Sequence, residues 1–136
     1  MLLVSALLTD ADGSILLVRR KRSALWRLPG GEVGREASIA RVLVSLCRRQ
    51  TGVAPDFVAP LFTFVFSGRR VIVGRDEVRH EQARACGWIE SVQWCAPDRL
   101  PVGVDPLAAM AISLRRGPHQ PAIGVGNPEG AATIVV

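Results

Sequence analysis

Three sets of residues in this sequence carry side chains able to do chemistry. The first is a run of cations, Arg19, Arg20, Lys21 and Arg22, followed by Arg27 and the turn Pro29-Gly30-Gly31. Guanidinium groups bind phosphate oxygens through paired hydrogen bonds, so Arg20 and Arg27 are candidate phosphate ligands. Gly30 and Gly31 would let the backbone approach such a ligand closely, although a tight turn asks for the same residues. No Gly-Lys-Ser or Gly-Lys-Thr follows, which excludes a P-loop. The second set is Asp76, Glu77, His80 and Glu81. On a helix, Glu77, His80 and Glu81 would share a face, a spacing suited to a metal site or a general base, and this makes Glu77 and Glu81 the catalytic candidates. As a charged loop, the same residues would pair with Arg75, Arg79 and Arg84. The third set is Trp26, Trp88 and Trp94, each able to stack on a base or to close a core edge. No serine or cysteine has a neighbouring base that would make it a nucleophile.

The elements that must position these residues follow from composition and periodicity. The chain has 136 residues, 49% of them hydrophobic and 21% charged, which fits one globular domain and excludes general disorder. A net charge of +5 favours anionic partners, while the absence of tyrosine and an aromatic content of 5% argue against a nucleic-acid-binding surface. Cys47, Cys86 and Cys95 form no C-x-x-C pair, which argues against structural zinc and suits a reducing cytoplasm. Residues 1–8 lack a basic leader and run into Thr9-Asp10-Ala11-Asp12-Gly13, so they predict a strand entering a turn rather than a targeting segment. No apolar run approaches the length of a membrane span.

Aliphatic runs at 4–8 and 15–18 flanking Asp-Ala-Asp-Gly predict a hairpin. Ser38 is placed to cap a helix in which Ile39, Val42, Leu43, Leu46 and Cys47 form one apolar face, with Arg41, Ser45, Arg48 and Arg49 opposite and Gly52 as the stop. Residues 57–66 and 69–73 predict two strands around Ser67-Gly68, and 88–95 predicts another. Asp105-Pro106 opens a final helix over 107–116. The expected class is α+β, an α/β sandwich with helices packed on both sides of a mixed sheet. Residues 1–116 form the expected domain and 117–136 a flexible Gly/Pro-rich tail, whose Thr133-Ile134-Val135-Val136 has the composition to add to a sheet edge.

Leu16-Leu17-Val18-Arg19-Arg20, then Trp26-Arg27-Leu28-Pro29-Gly30-Gly31-Glu32-Val33, a helix, and Thr51-Gly52-Val53 together resemble the Nudix hydrolase superfamily (MutT-like) around its signature box. Trp94-Cys95-Ala96-Pro97-Asp98-Arg99-Leu100-Pro101 resembles that family's last core strand and the approach to its C-terminal helix. The resemblance implies the sandwich fold, hydrolysis of the pyrophosphate linkage in nucleoside diphosphates joined to another group, and magnesium or manganese as cofactor. The family box is G-x5-E-x7-R-E-U-x-E-E-x-G-U, with U aliphatic. Its glutamates, three and four apart on a helix, hold the hard cations that neutralise phosphate charge and activate water.

Aligned without a gap from Gly31 to Gly52, the box is degenerate here. Its first glutamate position holds Ala37, its Arg-Glu pair falls on Ser45 and Leu46, its aliphatic position on Cys47, and its Glu-Glu pair on Arg49 and Gln50. The nearest remaining acids, Glu32 and Glu36, are the candidate metal ligands. By periodicity, Leu46 completes the apolar stripe while Arg48, Arg49 and Gln50 form a solvated edge. Three functions follow as expectations. One is a pyrophosphohydrolase working through unusual ligands. Another is a catalytically silent module that binds a nucleotide or other phosphorylated small molecule through Arg20, Arg27 and Arg49. The third is a protein-interaction module, compatible with a homo-oligomer, that uses the tail or a sheet edge. A membrane partner is not expected.

Overall fold

In the computed structural model, which describes residues 2–34, 38–55, 59–115 and 132–134, Asp10 builds the first turn. Its Oδ1 accepts from the N–H of Asp12 at 3.0 Å and of Ser14 at 2.9 Å, and Gly13 supplies a left-handed φ of 81°. This turn joins β1 (Leu2–Thr9) to β2 (Ile15–Arg20). Both strands are apolar almost throughout because both faces of the sheet are covered. Val4, Ala6, Leu8 and Leu16 face α1 (Ile39–Thr51), where they meet Leu43 and Cys47. Leu7, Ile15 and Leu17 point the other way, into a second core with Phe62, Phe64 and the Ala111 and Ile112 side chains of α2 (Pro106–Leu114). The expected sandwich with helices on both sides is therefore present.

The helix ends follow their local sequence. The Ser38 hydroxyl accepts from the Arg41 N–H at 3.4 Å, and Gly52, with a φ of 72°, donates its N–H to the Arg48 carbonyl at 3.0 Å. Pro106 occupies the first turn of α2 as expected, yet the Asp105 side chain makes no capping hydrogen bond. That helix ends at Leu114, where the Arg115 guanidinium donates to the Ile112 carbonyl at 3.0 Å.

The remaining strands are β3 (Trp26–Arg27), β4 (Gly30–Val33), β5 (Ala59–Phe66), β6 (Arg69–Glu77), β7 (Ile89–Cys95) and β8 (Ala132–Ile134). The sheet runs β3-β2-β1-β6-β5-β8, with β4 paired to β1 and β7 to β2. The β1–β6 and β5–β8 pairs are parallel and the other pairs antiparallel, so the sheet is mixed. β8 lies within the segment 117–136; its other residues are outside the described part of the chain, as are Arg116 and the segment 35–37 with Glu36 and Ala37.

The charged stretch after residue 75 does not form the helical face on which Glu77, His80 and Glu81 would meet. β6 continues to Glu77 because it pairs with β1 along its whole length, from Leu2↔Arg70 to Thr9↔Glu77, and the Val78 N–H extends the contact to the Thr9 carbonyl at 2.8 Å. Those ladder bonds outweigh any local helical preference, leaving one 3-10 turn at His80–Gln82. That turn is pinned to the hairpin. His80 Nδ1 lies 3.0 Å from Asp10 Oδ2, the imidazole stacks on Trp94 with centroids 5.0 Å apart, and Trp94 Nε1 donates to the His80 carbonyl at 3.0 Å.

β1 and β2 meet at Thr9↔Ile15 and diverge from there, β1 pairing with β4 and β2 with β3 and β7. β4 fills the widening gap. The Ala6 N–H donates to the Pro29 carbonyl at 2.8 Å, and Gly30 lies so close to β1 that a Cβ there would overlap the Val4 carbonyl oxygen. Gly31 is less confined, since the nearest atom to a Cβ is Leu46 Cδ1 at 3.4 Å. Gly30→Ala should therefore cost about 3 kcal/mol or more in denaturant unfolding, whereas Gly31→Ala should cost under about 1 kcal/mol.

Asp10 gives a second test. Burial opposes its charge, but the His80 contact and the Ser14 and Asp12 N–H groups prevail and hold the carboxyl below its ordinary value of 3.8. A folded pKa below the unfolded one means stabilisation that is present above about pH 4 and lost as pH falls through the folded value. Asp10→Asn keeps the turn acceptor but removes the carboxylate facing His80. Urea unfolding should show it about 1 kcal/mol less stable than the wild type at pH 6, with the gap closing below pH 3.8. A gap independent of pH would refute the assignment.

Candidate functional site

The divergence of β1 and β2 places the cationic run beside the C-terminal half of α1. The β2–β7 register shifts between Arg19 and Arg20, and this bulge separates two consecutive arginines. Arg19 reaches Glu90 at 3.3 Å and lies over the Trp26 ring, 5.3 Å from its centroid. Arg20 instead lines two adjoining hollows. One, of about 610 Å³, is bordered by Arg20, Lys21, Leu46, Arg49, Gln50 and Trp88. The other, of about 660 Å³, includes Arg20, Arg27, Gly30, Gly31, Glu32 and Arg69. Both volumes fall in the rough 300–1,000 Å³ range of small-molecule sites. The candidate phosphate ligands thus divide between two hollows of one cleft region that have Arg20 in common: Arg49 borders the first, and Arg27, Gly30 and Gly31 the second.

Glu77 and Glu81 border a different hollow, of about 480 Å³, with Asp10 and His80. Its place on β1 is set by Thr9↔Glu77, while the cleft is set by Ser5↔Gly30. Four strand residues separate Ser5 from Thr9, about 13 Å at roughly 3.3 Å per residue. Neither glutamate lines the cleft that Arg20 and Arg49 share.

The helix edge expected to be solvated is only partly so. Arg48 and Arg49 are exposed, but Gln50 is half-buried and its Nε2 donates to the Gly30 carbonyl at 2.8 Å. The cause is the packing of α1 on β4, where Leu46 lies against Gly31. Gln50 follows Leu46 by four residues and Cys47 by three, so helical spacing alone puts it beside the buried stripe.

Several carbonyls at the end of α1 already have donors. The Gln50 carbonyl accepts from the Cys86 N–H at 3.2 Å, the Thr51 carbonyl from the Arg84 N–H at 2.9 Å, and the Cys47 carbonyl from the Thr51 hydroxyl at 2.7 Å. A helix C-terminus repels anions, and these donors reduce that effect while Arg48 and Arg49 oppose it.

The residues at the box positions do not fit a divalent cation. Such ions require several oxygen ligands, and here the helix offers the aliphatic Leu46, the guanidinium of Arg49 and the amide of Gln50, the last already bound to a carbonyl. Among the described residues, no three His, Cys, Asp or Glu side chains gather as a cation site. Glu32 is exposed and lies 3.6 Å from Arg69, and Glu36 is outside the described residues.

Nor is Cys47 of α1 a ready nucleophile. Burial, with a smaller contribution from the Asp76 charge, pushes the Cys47 thiol up to about 12, and burial also raises Cys95. What the cleft can do is hold an anion. It offers Arg20, Lys21 and Arg49 at one side and Arg27 and Arg69 at the other.

The three tryptophans, equivalent on sequence, are not equivalent in the fold. Trp26 packs against the α2-side core and Trp94 against the α1-side core, whereas Trp88 is 83% exposed at the cleft rim.

No protein-family model and no curated protein sequence matches the chain. Solved structures do. The chain is similar to a MutT NUDIX hydrolase from Burkholderia pseudomallei at 23% identity and a TM-score of 0.66, over 82% of this chain and 95% of that one. It is similar to the NUDIX domain of Shewanella oneidensis NrtR, solved with ADP ribose, at 21% identity and a TM-score of 0.65, over 85% and 87% of the two chains. A MutT protein from Methanosarcina mazei Go1 aligns at 21% identity with a TM-score of 0.62, covering 85% of this chain and 91% of that one. The mixed sheet between two helices is the fold of the Nudix hydrolases to which the chain is similar.

Proposed function

We propose that this chain is a Nudix-superfamily protein, MutT-like with a degenerate box, that binds the phosphates of a nucleotide-derived ligand without a divalent metal and does not hydrolyse them by a metal-assisted route. The observation that carries this reading is the Gln50 amide on the Gly30 carbonyl, with Arg49 beside it in the cleft. A glutamate at position 50 would face that carbonyl oxygen to oxygen, a contact that needs a cation between the two. The amide makes the same approach a hydrogen bond, and the positive charge comes from side chains instead of an ion.

In this reading Arg20 stands at the junction of the two hollows and spans neighbouring phosphates, with Arg49 and Lys21 on the α1 side and Arg27 on the α2 side. Gly31 gives the bound group access to the backbone. Hydrolysis would also need an activated water, and neither Glu77 nor Glu81 lines the cleft. The likeness to the ADP-ribose-bound NUDIX domain supports a nucleotide-derived ligand here. The reading assigns this activity to residues 1–116 and gives the segment 117–136 no part in it. Three unpaired thiols, Cys47, Cys86 and Cys95, favour a cytoplasmic setting. No helix among the described residues is long and apolar enough to cross a membrane.

Three outcomes test the reading. Titration calorimetry with chelator present should show pyrophosphate-containing nucleotides binding, and Arg49→Glu should weaken them about tenfold or more, since a hydrogen bond to a charged group is worth about 1.5–3 kcal/mol. Complete silence would remove the proposal. Gln50→Glu should lower stability by about 1–3 kcal/mol in metal-free buffer by leaving the Gly30 carbonyl without its donor. A panel of nucleoside diphosphate and triphosphate derivatives should give no product with magnesium or manganese above a heat-killed control. Metal-dependent turnover would overturn the assignment.

A further inference from the structure

Among the described residues, three large apolar side chains stand in water, Val65, Trp88 and Val102, and the two most exposed lie at one end of the sheet. Trp88 immediately precedes β7, whose first residue, Ile89, pairs with Arg20 at the end of β2. The turn 21–25 joins β2 to β3 at that same end. Val102 lies in the segment that enters the parallel Trp26↔Val104 bridge. Three loops therefore meet at a single tip. Crossing it from β7 to β2, to β3 and to the bridge takes three steps of roughly 4.8 Å, so Trp88 and Val102 stand about 14 Å apart.

Backbone bonds hold all three loops. The Lys21 N–H donates to the Trp88 carbonyl at 2.9 Å, and the Ile89 N–H closes a turn onto the Cys86 carbonyl at 3.0 Å. The Ser23 N–H donates to the Arg20 carbonyl at 3.1 Å, and the Leu25 N–H to the Ser23 hydroxyl at 3.1 Å. The Trp26 N–H donates to the Gly103 carbonyl at 2.9 Å, and Gly103, with a φ of 86°, passes so near the turn that a Cβ there would lie 3.1 Å from the Ala24 carbonyl. On this frame Arg20, Lys21, Arg22 and Ala24 are all exposed. Arg22 turns the chain with a left-handed φ of 64°, which a residue other than glycine seldom adopts. Of the acids beside these loops, Glu90 is engaged by Arg19 at 3.3 Å and Asp105 is half-buried.

The tip thus presents two separated apolar points with three consecutive cations between them. A protein partner would have to supply a packed pocket for each point. An anionic bilayer needs none: indoles settle at the headgroup level, aliphatic side chains enter the acyl boundary, and basic residues meet the negative headgroups. We propose that this tip is a peripheral docking surface for an anionic lipid bilayer, with Trp88 and Val102 entering the boundary and Arg20, Lys21 and Arg22 meeting lipid phosphates. Sequence alone predicts no membrane partner, because there the signal is an apolar run long enough to span; a surface contact needs only a few exposed side chains, and the fold gathers them. The surface is separable from the phosphate cleft, since Arg22 and Val102 border neither of its hollows.

The probes are phosphatidylcholine vesicles with about one-third phosphatidylglycerol and vesicles of phosphatidylcholine alone, mixed with the full chain and followed by co-sedimentation and tryptophan emission. The anionic vesicles should bind at least about tenfold more tightly than the neutral ones, lose affinity as salt is raised, and shift the emission to the blue. Trp88→Phe should remove most of that shift. Trp88→Ala and Val102→Asp should each weaken vesicle binding about tenfold, and Arg22→Asn, which tolerates the left-handed turn, about fivefold. Val102→Asp and Arg22→Asn should leave the affinity for inorganic pyrophosphate within about twofold. Unfolding midpoints should hold in all of them, because the side chains are exposed; if one variant does not fold, the others and the dependence on vesicle composition decide the matter.

Binding to neither vesicle, or to both equally, would overturn the docking surface and leave the phosphate site untouched. Vesicle binding that survives the Trp88, Val102 and Arg22 substitutions but is lost in Arg49→Glu would overturn it in favour of a headgroup held in the cleft. Polyglutamate binding as tightly as the vesicles, with the same dependence on Trp88 and Val102, would overturn it in favour of an acidic protein partner. Self-association that disappears in Trp88→Ala, without vesicle binding, would overturn it in favour of a contact between copies of the chain.

Discussion

The approach of Gly30 to Val4 is the contact on which the site depends. No side-chain carbon fits between β4 and β1 at that point, and the absence of one lets β4 enter the gap where β1 and β2 part. Once β4 is seated, the Pro29 and Gly30 carbonyls have fixed directions. The first accepts from Ala6 inside the sheet, and the second points to α1 and receives the Gln50 amide. The helix is then positioned twice, by the burial of Leu43 and Cys47 against the sheet and by a polar bond at its last turn. Arg49, next to Gln50, comes to the cleft as a consequence. A contact between two backbones thus determines where a guanidinium on another element is presented.

The loop between β6 and β7 completes the arrangement by closing the end of that helix. Unpaired carbonyls at the end of α1 would repel any anion brought near the arginines, since a helix C-terminus carries about half a negative charge. Backbone donors from Arg84 and Cys86 occupy two of these carbonyls, and the same loop then delivers Trp88 to the rim. One segment therefore both removes an electrostatic conflict and adds an aromatic face. At its other end the segment is tied to the first hairpin through His80, Asp10 and Trp94, which is the reason the acidic residues around Glu77 and Glu81 belong to a structural corner rather than to the cleft.

What the sequence disclosed and what it hid divide along physical lines. The hairpin, both helices and the two-sided core were legible because each rests on local chemistry: an Asp-Gly turn, a Ser cap, a glycine stop, and apolar residues with the period of a helix. β4 was not legible as a strand, since Gly30-Gly31-Glu32-Val33 has little side-chain pattern and is defined by its fit against β1. The extension of β6 to Glu77 was hidden for a related reason, because a parallel partner about seventy positions away in sequence sets its length. At the site, residue types were readable and partners were not. Arg20, Arg27 and Arg49 stood out as cations, and the place of Arg20 between the hollows of the other two needed the fold. Gln50 looked like one more surface residue because its acceptor is a backbone atom, which leaves no trace in side-chain spacing.

The residues at the box positions are also coupled to one another. A carboxylate at 50 is tolerable next to the Gly30 carbonyl only with a cation between them, and a cation placed there would lie beside the Arg49 guanidinium. Replacing Arg49 alone leaves the amide in place, and replacing Gln50 alone leaves an oxygen pair with no counter-ion. Leu46 adds a third constraint, since it packs on Gly31 and its loss would loosen the contact that positions the other two. Such neighbours behave non-additively, so each single step toward a metal site would be unfavourable even if the complete set were not. The same coupling makes the amide-and-arginine arrangement self-consistent: one group satisfies the carbonyl, the other supplies charge, and neither requires an ion.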